Sequence, residues 1–191
     1  MTEPDRAGGD LDVVDILTTD HQEMLELLGR IEHTADGDRR RELADTVTAE
    51  VMRHAVAEEM YVYPVLEHRV PEGAAEVERD KAEHEEIVEV MKEMEGIAAS
   101  EPTFMELVRR LDTLLRRHAG SEELEQFPSL RSHLPPSELV EIGRQVETAK
   151  KIAPTRPHPS APHSELFHKS IGAGIGMVDR LRDKLTGRST G

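Results

Sequence analysis

The sequence predicts an all-α protein: an up-down-up-down four-helix bundle with a short fifth helix and a C-terminal helical tail. Three observations predict it. Apolar residues recur at alternating spacings of three and four in four separate stretches. The breaks between the stretches are short, so successive helices pack as antiparallel neighbours. The 191-residue chain holds only five aromatic residues and few β-branched runs, which disfavours a sandwich or barrel.

The first stripe is Val14, Leu17, His21, Met24, Leu28 and Ile31. Ala35-Asp36-Gly37-Asp38 breaks it, with Asp38 as the expected N-cap of the next helix. The second stripe is Val47, Val51, His54, Glu58, Tyr61 or Val62, and Val65, closed by Pro71-Glu72-Gly73. The third is Val77, His84, Ile87 or Val88, Met91, Met94 and Ala98. Ser100-Glu101-Pro102 opens the fourth, with Pro102 in its first turn. That stripe is Leu107, Leu111, Leu114, His118 and Glu122. Residues 11–134 are therefore the bundle, with Met24, Met52, Met91 and Met94 as core filler. An additional helix over 135–152 starts at Ser137 after Pro135-Pro136. Residues 153–163 hold four prolines and read as an extended linker. A basic tail over 164–191 contains a possible sixth helix, whose Gly172, Gly174 and Gly176 suit close packing on the bundle.

Composition removes several functions. There is no Cys, which excludes disulfide scaffolds, thiolate metal sites and thiol nucleophiles. The net charge of -15 argues against nucleic acid as a partner. It is unevenly spread: residues 150–191 carry eight Lys/Arg against three acids, a +5 tail on a -20 body. No apolar stretch approaches the roughly 20 residues of a membrane span, and residues 1–10 do not read as a secretory signal. The expectation is a cytoplasmic protein, monomeric or a weak homodimer.

An internal duplication carries the functional information. Residues 54–66 and 118–130 both read H-A-x-x-E-E-x-x-x-aromatic-P-x-L, at an offset of 64. Upstream, Asp20-His21 matches Glu83-His84 at an offset of 63. Each unit thus holds one His on its first helix and H-x-x-x-E on its second. In so acidic a chain, H-x-x-x-E alone proves little, and a single His on an apolar stripe is ordinarily a hydrogen-bonded core residue. Here, however, His21, His54, Glu58, His84, His118 and Glu122 all lie on apolar stripes. Side chains at i and i+4 share a helix face. Six buried polar groups need partners, and two divalent cations would supply them. Imidazole with carboxylate suits iron, zinc or manganese. Six protein ligands for two ions leave open positions, which means small-molecule chemistry or binding rather than a closed structural site. The formal +2 of two ions and two carboxylates favours an anionic bridge. The other six His (His33, His68, His133, His158, His163 and His168) lie outside the stripes. Tyr61, seven residues after His54, reads as core packing or as a hydrogen-bonding or phenolate group at the site. Glu59 and Glu123 read as solvated or helix-end carboxylates.

The order His21, His54-x-x-x-Glu58, His84, His118-x-x-x-Glu122 resembles the hemerythrin-like family, or HHE cation-binding domain, over roughly residues 11–134. The resemblance implies a four-helix bundle holding a non-haem di-iron centre of two oxo- or hydroxo-bridged iron ions, with a small ligand at the open position. Two departures stand out. Val88 occupies the place where oxygen-carrying members have a further His. The final acid stands at both four and five residues after His118, and Glu122 shares its face where Glu123 does not. Four His rather than five leave both irons more open. That suits redox action on hydrogen peroxide, oxygen or nitric oxide in an oxidative or nitrosative stress response. The alternatives are a carrier or sensor of oxygen, nitric oxide or iron without turnover, and a metal-free helical interaction module.

Overall fold

The computed structural model describes residues 11–153 and 155, and every regular element among them is helical. Helix α1 (Val13–Glu32) starts at Asp12, whose carboxylate accepts the Asp15 N–H at 2.9 Å. Helix α2 (Gly37–Ala57) is capped by Asp36, not by the expected Asp38. Asp36 has the extended backbone a cap needs, and its carboxylate accepts the Arg39 N–H at 2.8 Å, whereas Asp38 already lies in the first turn.

The second stripe does not run on as one α-helix. Glu58–Val62 forms a π-helical turn, followed by α3 (Tyr63–Arg69). The cause is Pro64, which has no N–H for the Met60 carbonyl and whose ring would collide with it. The chain inserts one extra residue, and the Tyr63 N–H reaches back five residues to the Glu58 carbonyl. The second repeat does the same. Helix α5 (Pro102–Ser121) passes into a π turn at Glu122–Gln126, where the Phe127 N–H bonds the Glu122 carbonyl, and α6 (Phe127–His133) follows with Pro128.

The first helix of the second repeat, α4 (Gly73–Glu95), begins after Glu72, which adopts a left-handed φ of 63°. Gly73 is required there, because a Cβ would run into the Leu66 carbonyl. Helix α4 ends at Glu95, so Ala98 is exposed rather than part of the third stripe. Helix α7 (Pro136–Ile152) is the expected fifth helix. It packs against α1 and α2 through Leu139, Ile142, Val146 and Ala149. Gly143 lets it approach the start of α1, where a Cβ would meet the Leu11 carbonyl at 3.0 Å. The expected linker, apart from Ala153 and Thr155, and the expected tail helix lie outside the described residues.

In the bundle, α1 packs on α2 and α5, and α4 on α5 and α3. Two apolar clusters form. One contains Met24, Met52, Met91, Met94, Phe104 and Leu111; the other contains Leu17, Val62, Tyr63, Leu66, Val77, Phe127 and Val146. The six stripe residues with polar side chains are all buried, in a layer between the two clusters. His33, His68 and His133 are exposed, and the other three extra His lie outside the described residues. No helix among the described residues is long and apolar enough to cross a membrane.

Candidate metal centre

The helical spacing that aligns His54 with Glu58 and His118 with Glu122 brings four imidazoles and two carboxylates to one place. His21 Nε2 and His54 Nε2 are 3.1 Å apart, as are His84 Nε2 and His118 Nε2. The two carboxylates lie between these pairs and divide their oxygens. Glu58 sets Oε1 3.1 Å from His54 Nε2 and Oε2 3.4 Å from His84 Nε2. Glu122 sets Oε2 3.2 Å from His21 Nε2 and Oε1 3.5 Å from His118 Nε2. Two overlapping groups that could each hold a metal ion result between the pairs, His21, His54, Glu58 and Glu122, and Glu58, His84 and His118; a third, Asp80, Glu83 and His118, shares His118 on its outer side.

The outward nitrogens explain why the inward ones are available. Every one of the four Nδ1 atoms faces a carboxylate. His54 Nδ1 meets Asp20 at 3.2 Å and His118 Nδ1 meets Glu83 at 3.2 Å. His84 Nδ1 meets Glu59 at 3.1 Å and His21 Nδ1 meets Glu123 at 2.9 Å. A carboxylate accepts, so Nδ1–H donates, and each Nε2 is left pointing inward as a lone pair. These lone pairs and the carboxylate oxygens then face one another, with the Tyr63 hydroxyl as a donor to His84 Nε2. Both Glu58 oxygens and Glu122 Oε2 are buried without a hydrogen bond. Positive charge between them relieves this. Protons can supply it: burial alone would lower the His54 pKa, but the charge of Glu58 and the carboxylate of Asp20 outweigh it and raise the pKa to about 10. Divalent cations supply it more completely, so the residues present fit a two-ion centre.

The adjacent acids carry a role that the sequence reading did not give them. Glu59 is buried, against expectation, whereas Glu123 is exposed, as expected; each nevertheless meets an imidazole Nδ1, of His84 and His21 respectively. The signal was present in the repeat. Each unit carries an acid directly before its first His (Asp20, Glu83) and directly after the Glu of its H-x-x-x-E (Glu59, Glu123).

Of the two readings of Tyr61, packing against the core holds and a role at the site does not. On an uninterrupted helix it would share the His54 face, but the π turn shifts the phase by one residue. Tyr63 therefore stands over Glu58, fully buried, with its hydroxyl 3.3 Å from His84 Nε2 and its ring stacked on His84 at 5.7 Å. Burial, with the charges of Glu58 and Glu122, raises its pKa well above the ordinary value. Tyr61 is only half-buried, beside the apolar cluster. In the second repeat Phe127 takes the equivalent position and stacks on His21 at 5.8 Å.

The halves differ in one more place. Asp80 and Gln126, at offsets of 63 and 64, replace Leu17 and Val62. The Gln126 side-chain amide donates to Asp80 Oδ2 at 2.7 Å, and Asp80 Oδ1 has no hydrogen bond. Burial and the Glu122 charge raise the Asp80 pKa to about 7.

Comparison with known proteins bears on the family and the fold. The model of the hemerythrin HHE cation-binding domain matches residues 12–130. An uncharacterized hemerythrin-like protein of Schizosaccharomyces pombe is 29% identical over 91% of this chain and 86% of its own length. A DNA nickase of Nostoc sp. is 24% identical over 87% of this chain, which spans only 44% of that protein. The crystal structure of a hemerythrin HHE cation-binding domain-containing protein from Mycobacterium kansasii superposes with a TM-score of 0.64 at 21% identity. That match covers 74% of this chain and 86% of the other, and shows a shared fold.

Proposed function

The chain belongs to the hemerythrin HHE cation-binding domain family, and from that premise we propose that it holds a non-haem di-iron centre acting on a small oxidant. The observation that carries the reading is the division of oxygens: Glu58 and Glu122 each offer one oxygen to each imidazole pair. Carboxylates so placed suit two adjacent ions better than one. His21, His54, His84, His118, Glu58 and Glu122 would hold the irons, with Tyr63 as a further oxygen donor beside His84.

When bound, iron supplies one-electron redox chemistry toward hydrogen peroxide, oxygen or nitric oxide. The chain does the rest. Asp20, Glu59, Glu83 and Glu123 fix the imidazole tautomers and ring planes. The apolar clusters on both sides exclude water and strengthen every charge interaction between them. A small apolar pocket touches His54, His84 and His118 and is walled by Val51, Ile87, Val88 and Leu115. It has room for only a very small molecule, which supports a diatomic or peroxide ligand over any organic substrate. Val88 contributes to that room, since an imidazole there would fill it. The nickase activity named for the cyanobacterial relative is not carried over, because the body bears a charge of -20 and the match covers under half of that protein.

Metal analysis combined with a peroxide assay tests the reading. The purified protein should contain two irons per chain and evolve oxygen on adding peroxide, and His54→Ala should abolish both. Reversible ligand binding without turnover would favour a carrier or sensor. A metal-free protein that takes up no iron would end both readings.

A further inference from the structure

The duplication makes the centre nearly symmetric, so a departure from symmetry identifies what has been added to it. Asp20 and Glu83 occupy equivalent positions, and each spans from an imidazole to a cation. Asp20 Oδ2 meets His54 Nδ1 at 3.2 Å, and Asp20 Oδ1 accepts from Lys150 Nζ at 2.6 Å. Glu83 Oε2 meets His118 Nδ1 at 3.2 Å, and its Oε1 lies 3.0 Å from Arg117 Nε. The two cations differ in origin and setting. Arg117 precedes His118 on the same helix and is 51% exposed. Lys150 comes from α7, outside both repeats and outside the family domain, and is only 17% exposed. Its position is further fixed by Glu147 at 3.2 Å. Asp20 is therefore held at both oxygens, in a setting where ion pairs are far less screened than at the surface.

We infer that Lys150 is a positioning residue of the centre: by holding Asp20, it fixes the His54 ring and thereby sets the cation affinity of the His21–His54 half. This rests on the two-ion reading above. The reason is geometric. Asp20 also lines an open cleft between α1 and α7, together with Thr19, Glu23, Glu147 and Lys150. Without the ammonium, its second oxygen is a partly buried, unpaired charge, and the low-energy response is for the carboxylate to turn toward the cleft and its water. His54 then loses the acceptor that holds its tautomer. Outer partners of metal-bound imidazoles typically control affinity by about 10–100-fold. On the other half, Arg117 is half-exposed, and water replaces much of what it provides.

The test is a cobalt(II) titration of the metal-free full chain, followed by visible absorption, for wild type, Lys150→Met, Lys150→Arg, Arg117→Met, Asp20→Asn and Lys150→Met/Asp20→Asn. Wild type should bind two cobalt ions per chain. Lys150→Met should weaken one of the two binding steps by about tenfold or more with the melting temperature of the metal-free protein still cooperative. Lys150→Arg should restore most of the loss, and Arg117→Met should change either step by less than about threefold. If Lys150 acts through Asp20, adding Lys150→Met to Asp20→Asn should cost nothing further. Equal weakening of both steps, an additive double variant, or unchanged affinities in Lys150→Met would overturn the inference while leaving the two-ion reading intact. A wild-type chain that takes up no cobalt would overturn both.

Discussion

Loading the centre with metal should expel protons, and the number can be worked out from the geometry. In the metal-free chain, the Glu58 charge and the Asp20 carboxylate outweigh burial and raise the His54 pKa to about 10. His118 is also raised well above its ordinary value, by Glu122 and by hydrogen bonds to Glu58 and Glu83, again against burial. At pH 8, His54 is then ~99% protonated. An ion bound at Nε2 needs the lone pair, so each protonated imidazole must release its proton. Filling both halves with zinc(II) at pH 8 should therefore release at least the His54 proton, with any further proton from His118 adding to it. A pH-indicator dye in weak buffer would count them during the titration. The same shift sets the stability of the metal-free protein. A histidine pKa raised on folding stabilises below the unfolded value of 6.5, and that stabilisation is lost as pH rises through about 10. For His54 the shift corresponds to ~5 kcal/mol. The melting temperature of the metal-free protein should thus fall from pH 6.5 to 10, while metal affinity rises over the same window. Two ions taken up with no proton released, or a melting temperature flat across that window, would refute the account, because either would mean that the inward nitrogens are already bare.

Other expectations are independent of that one. Copying the first repeat into the second with Asp80→Leu/Gln126→Val should raise stability by ~1–4 kcal/mol in urea unfolding, since a buried polar pair with an oxygen that no hydrogen bond satisfies is replaced by apolar contacts. Asp36→Ala should cost about 1 kcal/mol and Asp38→Ala almost nothing, which a thermal melt would separate. Glu59→Gln should weaken metal binding about 10-fold or more without unfolding the chain, because Glu59 is held at His84 Nδ1. Gly73→Ala should destabilise the protein by more than a helix-favouring substitution could recover, because its Cβ meets backbone rather than a side chain that can move.

Much of this architecture was legible in the residues. The stripes of α1 and α5 and the positions of the six ligand candidates follow from 3.6-residue periodicity, and in those helices nothing interrupts it. The failures gather where the period itself changes. A helical wheel carried past Glu58 selects Tyr61, because it counts 100° per residue through a turn that the chain widens to accommodate Pro64. Both prolines were visible, but whether a proline ends a helix, kinks it or widens one turn depends on packing that periodicity does not contain. The outer carboxylates were missed for a different reason. Glu59 and Glu123 lie about 100° from Glu58 and Glu122, so a two-dimensional wheel places them off the stripe. They reach histidines on a neighbouring helix, and that needs three dimensions. Lys150 lies about 130 residues from Asp20, and no local pattern connects them.

The symmetry of the centre bears on how a single chain came to carry it. Each repeat by itself supplies two inward imidazoles, one dividing carboxylate and two outer carboxylates, with its own proline-widened turn. That is a complete half-site, of the kind that two copies of a helical hairpin would assemble about a twofold axis. In such a dimer any substitution appears twice, so the two sides of the site are forced to be alike. Joining the halves in one chain removes that constraint. Tyr63 can then face Phe127, Leu17 can face Asp80, and Lys150 can brace one side only. Fusion adds the freedom to make one side of the centre different from the other.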